Sequence, residues 1–340
     1  MENKPKFEKN GIILVNKKAG VSSNKVVNIV KHAIGANKCG HLGTLDLEGE
    51  GLLPVTVNKG TKLFDFFLNK DKTYETIFVF GFETDTLDMS GEIIKEKECD
   101  VKEDQVREAI KSMIGTYSQM PPLYSAKKVG GVTAYKAIRS GGEIKLSPKD
   151  VTIYDFKLLE KVAKNKYKFE ISCSSGTYIR SVCRDLAQML GTYGSMQCIL
   201  RTRCGKFYLK DASTIEEIED GKFNFITCDK VFDLDKIFLN DIQTEKLLNG
   251  QTIDFDDSQN FGECFGNYEI NKTKANKIDD KICFGDSLKN QNAKSNYVID
   301  DKFSKQYSDG KKFYRLYSKD DFLGVGLCED KKLKIDLRLV

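Results

Sequence analysis

The residues best suited to chemistry crowd into one stretch, Lys38-Cys39-Gly40-His41-Leu42-Gly43-Thr44-Leu45-Asp46, which runs on through Leu47-Glu48-Gly49-Glu50-Gly51 to Pro54. Glycines permit tight turns and close approach of backbone to a ligand, and one of the chain's two histidines stands among them near an aspartate. Asp46, Glu48 and Glu50 recur at a period of two, which admits a two-acid glycosidase or a magnesium site. A plain glycine-rich loop whose Asp46 caps a neighbouring element is an equal alternative. Neither residues 35–43 nor Gly60-Thr61-Lys62 has the spacing of a Walker phosphate loop. The ten cysteines contain no Cys-x-x-Cys pair and His32 and His41 are the only imidazoles, so no metal site is expected and the cysteines are read as reduced thiols.

Such residues need a frame to position them. Residues 11–15 form a short apolar run suited to a buried strand, after which Ser22 or Ser23 caps an amphipathic helix with Val26, Val27, Val30, Ala33 and Ile34 on one face. Residues 74–80 alternate and are rich in aromatic and β-branched types, which predicts a strand, as do residues 151–159 and 167–173. Asp100 and Glu103 form the pattern of a capping box, predicting a helix with Val106, Ala109, Ile110, Met113 and Ile114 inward that ends at Gly115. A further helix is predicted over 177–190, with Val182, Cys183, Leu186, Met189 and Leu190 inward and Gly191 as its stop. The absence of a βαβ rhythm points to an α+β fold on a largely antiparallel mixed sheet.

At 340 residues the chain is long for one ordinary domain, and residues 1–225 are read as a large domain and 230–340 as a small β-rich one. In the second, residues 313–317 and 322–327 suggest two short strands, and a polar insertion at about 258–308, crowded with Asn, Asp, Lys and Ser, interrupts the domain. Residues 1–210 carry 34 basic and 24 acidic side chains, and residues 211–340 carry 20 and 26. A basic large domain suits a polyanion such as nucleic acid, though only weakly when taken alone. No apolar run approaches the ~18 residues of a membrane span and the first nine residues are polar, so a cytoplasmic location is expected.

Seven motifs stand in one order: Gly40-His41-x-Gly43-Thr44-Leu45-Asp46, Leu53-Pro54-Val55, Gly60-Thr61-Lys62, Lys72-x-Tyr74, Gly81-x-x-Thr84-Asp85-Thr86-x-Asp88-x-x-Gly91, Met120-Pro121-Pro122-x-Tyr124-Ser125-Ala126 and Gly176-Thr177-Tyr178-Ile179-Arg180. In this combination the chain resembles the TruB family of tRNA pseudouridine synthases over roughly residues 11–210. Residues 230–340 resemble the small RNA-binding PUA domain that follows in family members. The resemblance implies a pseudouridine synthase fold with a thumb-like insertion, and isomerisation of uridine 55 in the tRNA T-loop after the base is flipped out. It implies no cofactor and no metal. The partner is tRNA, through its T-loop and T-stem, rather than DNA or a membrane, and a monomer is expected.

Roles follow from the same resemblance. Asp46 becomes the carboxylate acting near C1′, Arg180 the cation that keeps it charged, and Tyr74 the aromatic that stacks on the target base and handles the C5 proton. Their structural alternatives are a capping aspartate, a phosphate contact and a core aromatic. His41 matches the residue that occupies the space of the flipped base, and Lys62 and Tyr178 match residues lining the pocket, with surface packing as the alternative. Lys127 and Lys128, with Lys136 and Arg139 interleaved with Tyr124 and Tyr135, correspond to the thumb-like segment over the T-loop or to an ordinary solvated loop. The competing reading from another class is a non-catalytic tRNA-binding or RNA-folding protein on the same scaffold. A two-carboxylate hydrolase would depend on Glu48. The chain departs from the family at Leu47, where a proline is usual, at Leu42, and at Asn16-Lys17-Lys18. Leu47 and Gly49 predict a looser catalytic loop.

Overall fold

The structure is a computed structural model that describes residues 6–68, 70–124, 128–129, 132–133, 146–255 and 311–340. Lys127, Tyr135, Lys136 and Arg139 lie outside the described residues, as does the predicted insertion at 258–308. The chain divides into two compact units, one built on Met1–Val231 and the other on the residues from Phe232 onward.

The first unit holds strands β1 (Gly11–Lys17), β2 (Cys39–His41), β3 (Glu50–Val57), β4 (Lys72–Phe80), β5 (Phe82–Thr84), β6 (Ile93–Glu96), β7 (Gly115–Gln119), β8 (Lys128–Val129), β9 (Val132–Thr133), β10 (Lys149–Ala163), β11 (Lys166–Cys173), β12 (Gly194–Cys204), β13 (Phe207–Tyr208) and β14 (Phe225–Thr227). Among the described residues ten of these make one sheet in the order β14-β1-β3-β12-β4-β11-β10-β7, with β2 on β3 and β13 on β12. Only the β3–β12 pairing is parallel, at Leu200↔Glu50 and Arg201↔Gly51, so the sheet is mixed and largely antiparallel. That register matters because it brings Arg201 beneath the loop carrying Asp46.

Helix α1 (Ser23–Ile34) starts where Ser22 accepts a hydrogen bond from the Lys25 N–H at 3.2 Å, and stops at Gly35 with φ 70°. Its Val26 and Val30 are fully buried against the sheet, each worth ~1.5–3 kcal/mol of burial. Helix α2 (Phe64–Leu68) is a short turn after β3, and α3 (Glu103–Ser112) and α4 (Ile179–Met189) cover the same face as α1 through Val106, Ile110, Val182 and Leu186. α3 begins later than the sequence pattern indicates. The Asp100 carboxylate pairs with the Lys102 ammonium, and the Gln105 side chain, not Glu103, accepts the Lys102 N–H at 3.0 Å. Ile114 and Met189, predicted inward, are exposed: both lie past the packed part of their helices, on the rim of a shallow hollow outside edge strand β7.

The second unit is a curled, PUA-like sheet of five strands among the described residues. It contains β15 (Lys236–Leu239), β16 (Ile253–Asp254), β17 (Lys312–Ser318), β18 (Asp321–Glu329) and β19 (Lys332–Arg338) in the order β15-β17-β18-β19-β16. Helices α5 (Ile215–Glu219) and α6 (Asp241–Leu248) belong to the first and second units respectively. At Gly324, φ is 145° and a Cβ would meet the Leu337 carbonyl oxygen at 1.9 Å, so glycine is what lets β18 and β19 close together. No helix among the described residues is long and apolar enough to cross a membrane.

Candidate active site

Asp46 sits on a loop fastened from several directions. Ser23, at the start of α1, donates through its hydroxyl to the Leu45 carbonyl at 2.9 Å and accepts from the Leu45 N–H at 3.0 Å. The Gly49 N–H closes back on the Asp46 carbonyl at 3.0 Å, and the Gly20 N–H donates to the Leu47 carbonyl at 3.0 Å. The fully buried Lys17 ammonium donates to the carbonyls of Lys18 at 3.1 Å and Leu47 at 3.0 Å, and to that of Gly49. Hydrogen bonds to the Leu47 and Gly49 backbone thus fasten this loop where a proline ring would otherwise restrain it. Burial pulls the Lys17 pKa below its ordinary value, and the charges of Glu48, Glu50 and Asp46 act against that pull. Lys17→Met leaves three carbonyl oxygens without this donor, and is expected to cost about 2–4 kcal/mol and to lower the melting temperature by roughly 5–10 °C in a thermal scan.

Arg180 projects from the first turn of α4 and is 7% exposed. Its guanidinium lies 2.9 Å from Asp46 Oδ2 and 3.4 Å from Asp88 Oδ2, and donates to the Thr86 carbonyl at 3.0 Å. Asp88 in turn accepts from the Thr86 hydroxyl at 2.8 Å and the Ser90 N–H at 3.0 Å. The guanidinium is thus held from behind by one carboxylate while it meets the other. The Asp46 side chain is 51% exposed, whereas that of Arg180 is 8% exposed, so the carboxylate of the pair is the part open to a ligand.

Tyr74 enters from β4, 7% exposed, directly across the strand pairing from Arg201, whose charge acts on its phenol. Burial raises the phenol pKa well above its ordinary value, while the Arg201 guanidinium opposes that rise. Arg201, 1% exposed, also donates to the carbonyls of Leu52 at 2.7 Å, Gly43 at 3.1 Å and Thr44 at 3.4 Å. One side chain beside Tyr74 therefore ties β3 to the loop before Asp46. His41 is half-buried, and burial and then the Arg201 charge lower its pKa, favouring the neutral ring. Its buried Nδ1 has no hydrogen-bond partner among the described residues.

A cavity of about 490 Å³ opens over these groups, lined by His41, Asp46, Tyr74, Tyr178, Arg180 and Arg201 among others, a size within the usual range for a small-ligand site. A second hollow, which shares His41, Asp46 and Arg180 with the first, is also bordered by Leu47, Glu48, Glu50 and Asp88. Five of the residues singled out from sequence converge on the first cavity: Asp46, Tyr74, Arg180, His41 and Tyr178. Lys62 is exposed on the turn after β3 and does not line it. Lys128 is placed only as a strand residue of β8, and Lys127 lies outside the described residues. Asp88 and Arg201 were given no role from sequence. Arg201 stands in Ile199-Leu200-Arg201-Thr202-Arg203, where no local pattern marks it as the buried arginine of the two. Among the described residues no group of three or more His, Cys, Asp or Glu side chains is placed to hold a metal ion.

The sheet, its helices and this pocket define the chain as having a pseudouridine synthase fold, and its overall course matches that of a solved Cbf5-Nop10-Gar1 complex with a TM-score of 0.62 at 18% identity, over 97% of this chain and 85% of that one. The model of the TruB family pseudouridylate synthase N-terminal domain matches residues 31–179. The tRNA pseudouridine synthase B of Caldanaerobacter subterraneus subsp. tengcongensis is 36% identical over 244 residues, 72% of this chain and 86% of that protein. That of Clostridioides difficile is 35% identical over 321 residues, covering 93% and 94%. The chain belongs to the TruB family of pseudouridine synthases.

Proposed function

We propose that this protein isomerises uridine to pseudouridine in tRNA, at position 55 of the T-loop, acting in the cytoplasm as a monomer without cofactor or metal. The observation that carries the reading is the Asp46–Arg180 pair, 2.9 Å apart at the mouth of a cavity that also holds Tyr74. The reaction breaks the N1–C1′ bond, turns the uracil and joins C5 to C1′, after which the C5 proton must leave. Asp46 is the group able to bond to C1′ or to assist a glycal, and the enclosed guanidinium keeps its carboxylate ionised and aimed. Tyr74 offers a neutral stacking face, and its contact with Arg201 eases any charge that develops on the phenol oxygen.

A T-loop uridine must be extruded to reach this cavity, and unstacking costs a few kcal/mol that new contacts offset. A neutral His41 with an unpartnered nitrogen suits the space the base vacates. The basic first unit supplies charge for the phosphates of the T-loop and T-stem, with Lys127 and Lys128 as further contacts and Lys62 as a candidate at the periphery. The test is mapping of pseudouridine in an unmodified tRNA incubated with the purified protein in chelator. A product confined to one T-loop uridine is expected, and no product, or one requiring metal, overturns the reading.

Glu48 and Glu50 are exposed, Glu50 accepting from the Ala19 N–H at 3.5 Å, and their charges face the buried Lys17 ammonium. Glu48→Gln and Glu50→Gln are accordingly expected to keep turnover within about threefold of wild type in a single-turnover assay, since surface charges of this kind contribute little. Loss of product in Glu48→Gln would instead require a two-acid mechanism.

A further inference from the structure

We propose that Gln119 is a positioning residue for this reaction, holding the Tyr178 peptide so that Arg180 meets Asp46. The proposal rests on the isomerase reading above and deepens it. Helix α4 has no cap of its own: Tyr178 at the N-cap position makes no side-chain capping hydrogen bond, and the first turn carries no acid. Strand β7 supplies the substitute. The Gln119 side chain, 1% exposed, accepts from the Tyr178 N–H at 2.8 Å and donates to the Tyr178 carbonyl at 3.2 Å and to the Tyr117 hydroxyl at 2.7 Å.

In a capping box the N3 side chain of the helix itself accepts the N-cap N–H. Here the same contact is delivered by another element, and the next residue extends it. The Met120 carbonyl accepts from the Ser181 hydroxyl at 2.9 Å and from Arg184 at 2.9 Å. Gln119 and Met120 together clamp the start of α4 onto the end of β7.

Arg180 lies two residues beyond the clamped peptide, and its far end is fixed by Thr86 and Asp88. A side chain held at both ends meets Asp46 at one distance only while both anchors stay put, and a misplacement of about 1 Å can cost ~10²-fold in rate. Gln119 does not itself line the cavity, whereas Tyr178 and Arg180 do. Its influence on the reaction therefore runs through them.

Gln119→Met keeps the length of the side chain and removes both hydrogen-bonding ends. In single-turnover reactions on an unmodified tRNA it is expected to lower the rate about 10–100-fold with tRNA Kd within roughly threefold. Tyr117→Phe, which removes the outer partner of Gln119 and a hydroxyl donor to Asp185 but leaves both Gln119 contacts to the Tyr178 peptide, is expected to stay within about threefold in rate. In an Arg180→Lys background, adding Gln119→Met is expected to cost less than about threefold more, because both changes act on one contact. Should Gln119→Met fail to fold, Gln119→Glu carries the test: it keeps the acceptor for the Tyr178 N–H, turns a carboxylate on the Tyr178 carbonyl, and is expected to lower rate without lowering affinity. A wild-type rate per folded molecule in these variants, losses of affinity equal to losses of rate, or full additivity with Arg180→Lys would each overturn the proposal. A wild-type protein that makes no pseudouridine counts against the isomerase reading instead, so the two failures are distinguishable.

Discussion

Asp46→Asn is expected to bind tRNA with near wild-type affinity and to form no detectable pseudouridine, a loss on the order of 10⁴-fold or more in single-turnover rate. Asparagine preserves the volume of the side chain and removes its charge and its ability to bond to C1′. The surrounding structure gives no reason for the site to collapse. Arg180 keeps Asp88 and the Thr86 carbonyl, and the loop keeps its bonds to Ser23, Gly20 and Lys17, none of which involves the Asp46 carboxylate. On the proposed reading affinity comes from phosphate contacts spread over the basic first unit, and a half-exposed carboxylate opposes RNA rather than attracting it. The measurement is single-turnover product mapping in chelator beside a binding isotherm. Residual turnover of more than a few per cent would remove Asp46 from the chemistry, and equal losses of affinity and rate would recast it as a binding residue.

Much of the frame that presents Asp46 is legible in the sequence because its period is regular. Strands β1, β4, β10 and β11 and helices α1 and α4 follow from apolar spacing, from a serine cap at 22 or 23 and from Gly191. Strand β3 is not legible in the same way. It is buried on both faces, so Leu52 to Val57 show no alternation, and Pro54 with the surrounding glycines reads as a loop. Strand β12 is not legible either, nor is its parallel pairing with β3, which places Arg201 under Gly43 and Thr44. The meeting of Asp46 with Arg180 is a contact between distant parts of the chain, which no local pattern encodes; only the ordered motifs pointed to it. Asp88 stood inside one of those motifs without a role, since its work is to hold a side chain from another element. Gln119 escaped for the same reason. Its amide serves the N-cap residue of a helix, 59 residues later in the chain.

Arg180→Met is the second large effect, expected to lower the single-turnover rate about 10²–10³-fold while tRNA Kd changes by no more than a few-fold. The guanidinium uses separate nitrogens for Asp46 on one side and for Thr86 and Asp88 on the other, and it does so almost wholly out of solvent. Methionine fills the space and removes all three contacts, leaving two carboxylates with no cation between them. Asp46 can recover water because half of its side chain is exposed, so the fold is expected to survive with a loss on the order of 1–3 kcal/mol, checked by thermal melting. What does not recover is the aim of the carboxylate toward C1′. Arg180→Lys should restore little, because a single ammonium cannot span Asp46, Asp88 and the Thr86 carbonyl at once. The competing role for a cation at a helix N-terminal turn is a contact to an RNA phosphate, and it makes a different forecast. Loss of one phosphate contact would weaken binding to every RNA and reduce the salt dependence of log Kd by about one counterion. An unchanged salt slope together with a collapsed rate assigns Arg180 to Asp46, whereas a shallower slope with a preserved rate at saturating tRNA assigns it to the phosphate backbone.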